Sequence, residues 1–190
     1  MISDPLCLYD YTMESDGSVA AVVTSADRAK DLRHPPVFIL GSAHGGAGLW
    51  STAIFTYFQM PDEYFASSGH RPVAKRMYEM AGITPDDVDV ALLYDHFSPL
   101  VIMQLEDYGF CKRGEGGPFA ASGALGPGGR LPTNTGGGML SGYYMWGMTP
   151  ISEAVIQARG DAGERQVGNR DLIAVSGNGG IFNFHATLVL

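Results

Sequence analysis

Residues 88–99 read VDVALLYDHFSP. The run from Val88 to Tyr94 is short and mostly apolar, which predicts a strand buried on both faces. Ser98 and Pro99 then supply a helix start, with serine at the N-cap and proline at the first helical position, and the helix is expected to run to about Tyr108. A buried strand passing directly into a helix is the repeating unit of an α/β fold. The turn between them, Tyr94-Asp95-His96-Phe97, sits where such a sheet presents the carboxyl end of a strand to a ligand.

Working outward, Gly17 to Ser25 (GSVAAVVTS) is a β-rich run and Ala26 to Leu32 has helix composition, so a strand followed by a helix is expected. Pro35 and Pro36 stop that unit. Val37 to Leu40 is expected as a strand buried on both faces, with Gly41 to Gly46 as the loop after it. Trp50 to Tyr64 is aromatic and weakly patterned, a loop that either packs or covers a pocket. Arg71 to Ala81 spaces Val73, Met77, Tyr78 and Met80 for a helix with one packed face, ended by Gly82, and Thr84 to Asp87 turns the chain. Gly114 to Gly129 is expected as a Gly/Pro-rich loop and Pro150 to Arg159 as a helix. Asp171 to Ser176 and Ile181 to Leu190 are expected as closing strands joined by a tight turn at Gly177-Asn178-Gly179-Gly180. This order predicts an α/β fold with a mixed sheet.

Composition narrows the function. With 190 residues and 45% apolar side chains the chain can bury a core, while charged residues reach only 17% and the net charge is −8. A protein that tracks nucleic-acid phosphates needs a basic face, and this balance does not supply one. Cys7 and Cys111 lack Cys-x-x-Cys or mixed Cys/His spacing, so neither a disulfide scaffold nor a metal site is expected. A cytoplasmic location fits their number, and no apolar run reaches the ~18 residues of a membrane span. The 26 glycines follow no three-residue period, and several fall within Asn134–Thr149 and Ser176–Gly180, which with Tyr94–Phe97 are the segments where such a sheet places its ligand. None matches a nucleotide-binding spacing, so no nucleotide cofactor is expected. Glycine turns and helix starts do present N–H groups to a developing negative charge, which favours carbonyl or thioester chemistry.

Read together, these segments resemble the carboxyl-terminal half of the thiolase superfamily, in particular its lipid-transfer-protein branch. Tyr94-Asp95-His96-Phe97 falls on the family's Asn-Glu-Ala-Phe, which is His-Asp-Cys-Phe in the lipid-transfer thiolases. Leu105 to Cys111 and Gly114 to Gly117 resemble that branch's own helix and loop. Asn134, Gly137, Gly138, Leu140, Ser141, Gly147 and Thr149 fall in register on Asn-x-x-Gly-Gly-x-Leu-Ser-x-Gly-His-Pro-x-Gly-Ala-Thr, with Tyr144 in place of the catalytic histidine. Ser176-Gly177-Asn178-Gly179-Gly180 matches Cys-x-Gly-Gly-Gly, with Ser176 in place of the acid/base cysteine. An ordinary serine cannot exchange protons at neutral pH as a cysteine can, so thiolase Claisen chemistry is expected to be lost.

The two tyrosines resemble the aldolase-type lipid-transfer proteins of bacterial steroid side-chain degradation. That likeness implies a thiolase-like fold, half of an αβαβα layered sandwich, with residues 1–16 ending a loop region and 17–190 forming the carboxyl-terminal domain. The implied activity is that of a carbon–carbon lyase: retro-aldol cleavage of a β-hydroxyacyl-CoA, a steroid side-chain thioester, to a ketone and propionyl-CoA. The CoA thioester is the substrate and no cofactor is implied. The likeness also implies an amino-terminal thiolase half, a homodimer, and an OB-fold, zinc-ribbon partner often joined to an enoyl-CoA hydratase.

Such a reaction needs a base for the hydroxyl proton and donors for the thioester enolate. Tyr144 is expected as the base, which requires a phenol lowered from ~10, and Tyr94 as the donor. Ser176, Asn178 and Gly179 are candidates around the oxyanion. His185 is a candidate supporting residue, with His44 a tempting partner for it in sequence. Asp95 either orients a base or caps the following helix, and the cap is favoured; His96 is read as structural. Glu106, Asp107 and Glu115 are expected to be solvated or to brace loops, and Cys111 to be a packed thiol. Two readings compete with the aldolase: a non-catalytic lipid-binding or scaffold protein, and an ordinary acyl-CoA acyltransferase, which Tyr144 and Ser176 disfavour.

Overall fold

Successive residues of the run that follows Val88 point to opposite faces of one sheet. Val90 and Leu92 share a core with Ala154, Ile173 and Val175, whereas Ala91 and Leu93 share one with Met77, Leu105 and Tyr108. Both faces are covered, as so apolar a strand requires. The computed structural model describes residues 2–46, 67–179 and 184–190. In chain order its elements are α1 (Ala26–Ala29), β1 (Gly41–Gly45), α2 (Arg71–Ala81), β2 (Val90–Leu92), α3 (Ser98–Asp107), α4 (Gly116–Ala121), α5 (Met148–Arg159), β3 (Ile173–Gly179) and β4 (Phe184–Val189). The strand order is β1-β4-β3-β2. β2 and β3 run parallel, and β4 is antiparallel to both β3 and β1, so the sheet is mixed as expected. Helices α2 and α3 cover one face and α5 the other, the layering of an α/β fold.

Helix α2 ends as the sequence predicts: Gly82 adopts φ 70° and donates its N–H to the Tyr78 carbonyl. Other expectations are corrected. The residues from Gly17 to Ser25 form no strand and are almost wholly exposed, because no edge of the sheet pairs with them. The strand expected at Val37–Leu40 lies a few residues later, at Gly41–Gly45, where a loop was expected. Gly41 decides that placement. A Cβ there would stand 2.6 Å from the Met77 carbonyl and 2.9 Å from the Ala81 side chain, so only glycine lets α2 close onto this strand. Phe38, Ile39 and Leu40 stay exposed.

The glycine-rich stretch after Gly114 contains a short helix, α4, whose first N–H, that of Gly116, donates to Glu106 Oε1 at 3.0 Å. Glu106 thus braces this loop. Helix α3 starts one residue early, with Phe97 at the N-cap, because the Ser98 hydroxyl is taken by Asp10. The tight turn expected at Gly177–Gly180 is strand as far as Gly179, where Gly177, Asn178 and Gly179 pair with Ala186, His185 and Phe184. Gly180 and the stretch from Trp50 to Tyr64 lie outside the described residues. Among the described residues no helix is long and apolar enough to cross a membrane.

Gly41→Ala is expected to lower the unfolding free energy by about 1–3 kcal/mol, the usual cost of forcing a methyl into a packed contact. Urea denaturation checks this; an unchanged midpoint would show that α2 does not press on β1.

Candidate active site

The parallel pairing of β2 and β3 brings two strand ends to one edge of the sheet. Past Leu92 the ladder with β3 stops, and side chains take over the backbone of the next residues. Leu93 N–H donates to Asn134 Oδ1 at 2.7 Å and Asn134 Nδ2 donates to the Leu93 carbonyl at 3.1 Å. Tyr94 N–H donates to Ser176 Oγ at 2.7 Å, and Gln104 Nε2 donates to the Tyr94 carbonyl at 2.7 Å. The buried Tyr94 ring then projects its hydroxyl to within 3.1 Å of the Tyr144 hydroxyl, the two rings edge to face at 79°. Two residues 50 apart in sequence therefore form one hydroxyl pair. Burial pushes the Tyr94 phenol above its usual range, and the Tyr144 hydroxyl and the Asp95 charge add to this, so Tyr94 is a neutral donor at pH 7. Tyr144 is half-buried and stacks on Trp146 at 5.8 Å. Trp146 is itself exposed and holds a left-handed φ of 52°. A non-glycine residue in that conformation marks a tightly determined loop.

Asp95 is a cap, but of a different element from the one expected. Its Oδ1 accepts Met139 N–H at 2.8 Å and its Oδ2 accepts Leu140 N–H, so it closes the π-helical turn Gly138–Gly142 rather than α3. Burial raises its pKa against the opposing pull of those N–H groups. Gly138 has φ 60° and a Cβ there would overlap the Asp95 carboxylate, which is why glycine stands at this point of the motif. Gly136 plays the same part against Glu153 on α5: a Cβ would lie 2.8 Å from the carboxylate. Glu153 accepts the Thr135 hydroxyl and pairs with Arg165, pinning the loop to α5.

Ser176 is buried with its hydrogen-bonding capacity in use, for it accepts from Tyr94 N–H and donates to Gln104 Oε1 at 2.5 Å. Asn178 and Gly179 continue β3 instead of turning. Asn178 pairs in register with His185, on the α2 face of the sheet. The buried His185 ring lies 4.0 Å from the ring of His70, not beside His44, which is exposed on β1. His70 Nε2 stands 3.2 Å from the Gly177 carbonyl, so the two rings lie behind the end of β3. Asp107 accepts the Ser67 and Ser68 hydroxyls and His70 N–H, making it a buried brace for the start of α2. Cys111 is half-buried, and burial raises its thiol, which suits a packed side chain. Among the described residues no cluster of His, Cys, Asp and Glu could hold a metal ion.

The sequence reading missed His70, Gln104 and the side-chain role of Asn134. For Gln104 a signal was present, a lone amide in the apolar stretch SPLVIMQL. For His70 there was none, since its neighbours Gly177 and His185 lie more than 100 residues away.

With this geometry in place, comparison with known proteins assigns the fold. Residues 46–190 match the family described as thiolase C-terminal domain-like. The chain belongs to that family. It is 41% identical over 188 residues to the 17-hydroxy-3-oxo-4-pregnene-20-carboxyl-CoA lyase of Mycobacterium tuberculosis, a match covering 94% of this chain and 45% of the relative. It is 42% identical over 178 residues to the steroid side-chain-cleaving aldolase of Thermomonospora curvata, again with 94% of this chain and 45% of the relative. A solved Ltp2-ChsH2(DUF35) aldolase superposes with a TM-score of 0.88 at 40% identity, over 99% of this chain and 48% of the other. The fold is therefore thiolase-like, and the chain spans about half the length of these relatives.

Two site histidines make stability depend on pH. Burial draws His96 down to about 4, and burial with the neighbouring His185 holds His70 well below the usual range. With the unfolded values near ~6.5, the unfolded chain takes up these protons first, so their contribution is whole above ~6.5 and falls as the pH drops below it. Unfolding free energy is expected to decline from pH ~7 to ~5, and His96→Phe to flatten part of that slope. Identical slopes in parent and variant would show that His96 is not held neutral.

Proposed function

We propose that this chain is the carboxyl-terminal half of a CoA-thioester aldolase, a carbon–carbon lyase that cleaves a β-hydroxyacyl-CoA to a ketone and propionyl-CoA. The observation that carries the reading is the Tyr94–Tyr144 hydroxyl pair at the carboxyl end of β2, together with a Ser176 hydroxyl that already accepts Tyr94 N–H and donates to Gln104 Oε1. Retro-aldol cleavage needs no covalent nucleophile. Tyr144, the more accessible of the pair, takes the proton of the β-hydroxyl as a phenolate and becomes a phenol; the C–O bond becomes a carbonyl, and the Cα–Cβ electron pair passes into the thioester enolate. Tyr94, kept protonated by burial, donates to that enolate and returns a proton to Cα through the pair. Asn178 and Gly179, at the end of β3, belong around the thioester oxygen, while His185 supports them from behind through its tilted ring contact with His70. Asp95 acts by fixing the loop that carries Tyr144.

Support for the substrate class comes from the two relatives named for steroid side-chain cleavage. The acyl group is accordingly a steroid side-chain thioester. The chain works with an amino-terminal thiolase half, since it spans about half of those relatives, and as a cytoplasmic homodimer. An OB-fold, zinc-ribbon partner, joined to a hydratase, completes the assembly; the solved relative carries a ChsH2(DUF35) component by name.

The test is cleavage of a tertiary β-hydroxyacyl-CoA by the assembled enzyme, followed as propionyl-CoA release. Tyr144→Phe and Tyr94→Phe keep the rings and each is expected to lower kcat by ~10²–10⁴ with modest change in KM. Variants that cleave like the parent would make the tyrosines packing residues, and a parent that binds the thioester without cleaving it would favour the scaffold reading. Acetoacetyl-CoA with free CoA is expected to yield no acetyl-CoA; turnover would restore the acyltransferase.

A further inference from the structure

Gln104 is fully buried on α3, among Leu100, Leu105 and other apolar neighbours, where an unpaired amide is costly. Its bonds account for its presence. Nε2 donates to the Tyr94 carbonyl at 2.7 Å and to the Leu100 carbonyl at 3.1 Å, and Oε1 accepts the Ser176 hydroxyl at 2.5 Å. Ser176 Oγ in turn accepts Tyr94 N–H at 2.7 Å. The result is a closed ring, from Tyr94 N–H through Ser176 and Gln104 back to the Tyr94 carbonyl. Both main-chain polar groups of Tyr94 are thereby held by side chains, at a point where the β2–β3 ladder has already ended at the Leu92–Val175 pair.

We propose that Gln104 is a positioning residue that, with Ser176, clamps the backbone of Tyr94 so that its hydroxyl meets that of Tyr144. The proposal rests on the aldolase reading of the tyrosine pair and assigns to Ser176, at the place of the thiolase cysteine, a purely mechanical task. The physical reason is leverage. A phenol oxygen lies at the far end of a rigid ring, so a small rotation of the unladdered backbone at Tyr94 would carry its hydroxyl out of the 3.1 Å contact. Leu100 supplies the anchor: because Nε2 also bonds the carbonyl one turn back on α3, the amide plane is fixed by the helix itself.

The experiment is a double-mutant cycle in the assembled enzyme, reading propionyl-CoA release from a tertiary β-hydroxyacyl-CoA. Gln104→Leu preserves most of the volume and removes the clamp; kcat is expected to fall roughly 10–100-fold with KM within about twofold. In a Tyr94→Phe background the same substitution is expected to cost less than about threefold, because the hydroxyl it positions is gone. Ser176→Ala, which opens one side of the ring, is expected to lose about 3–10-fold, well short of the ~10²–10⁴ of a proton-transfer group. Should Gln104→Leu fail to fold, Gln104→Met serves instead: it keeps the length and volume of the side chain but removes both the donor to the Tyr94 carbonyl and the acceptor for Ser176, and the same loss is expected. Full additivity of the Gln104 and Tyr94 losses, or a kcat loss under about threefold in folded Gln104→Leu, overturns the proposal. The aldolase reading fails separately, when Tyr94→Phe alone or the parent itself shows it, and the clamp then falls with it.

Discussion

Val90, Ala91 and Leu92 pair in parallel with Ile173, Ala174 and Val175, so two strands leave the sheet at the same edge and their onward residues meet. In a purely antiparallel sheet the extensions of neighbouring strands would diverge. Here the continuation of one carries Tyr94 and that of the other carries Ser176, Asn178 and Gly179, and the parallel ladder holds them side by side. The edge has a cost, because backbone groups past the last ladder pair are buried without a strand to bond. Asn134, Ser176 and Gln104 supply the missing partners.

Around this edge, carboxylates hold the loop from Thr135 to Leu140 in place. Asp95 gathers the N–H groups of Met139 and Leu140, and Glu153 holds Thr135 from α5. Both demand close approach, met by the missing side chains of Gly138 and Gly136. Glycine in this loop therefore serves packing against acids as much as it serves turning. The loop so fixed continues directly into Tyr144, which links the burial of two acids to the position of one hydroxyl.

The same logic explains how a thiolase-like frame can carry different chemistry. Where the family's motif places a histidine and a cysteine, this chain has Tyr144 and Ser176, and these are not equivalent exchanges. Tyr144 keeps an ionisable group facing the strand ends, whereas Ser176 turns its hydroxyl inward to α3 and the Tyr94 backbone. A hydroxyl that donates and accepts within the core has no proton to lend. The proposed reaction moves accordingly from the β3 side of the site to the pair of phenols.

Much of this was legible in the residues. The short apolar run beginning at Val88, the helix ended by Gly82 and the mixed sheet follow from local pattern, because periodicity and glycine placement report directly on burial and backbone geometry, whereas Tyr94 and Tyr144 were singled out by their resemblance to a thiolase motif. Tertiary structure decided the rest. Gly17 to Ser25 has strand composition yet forms no strand, since a ladder needs a partner that composition does not name. Gly41 to Gly45 reads as loop yet pairs with β4, because only glycine fits beneath α2. Asp95 caps a turn more than 40 residues away rather than the helix beside it, and Gln104 and His70 take their meaning from neighbours distant in sequence. Hydrogen-bond partners in a buried site are chosen by proximity in space, and the strand order that sets that proximity, β1-β4-β3-β2, arises only when the whole sheet has formed.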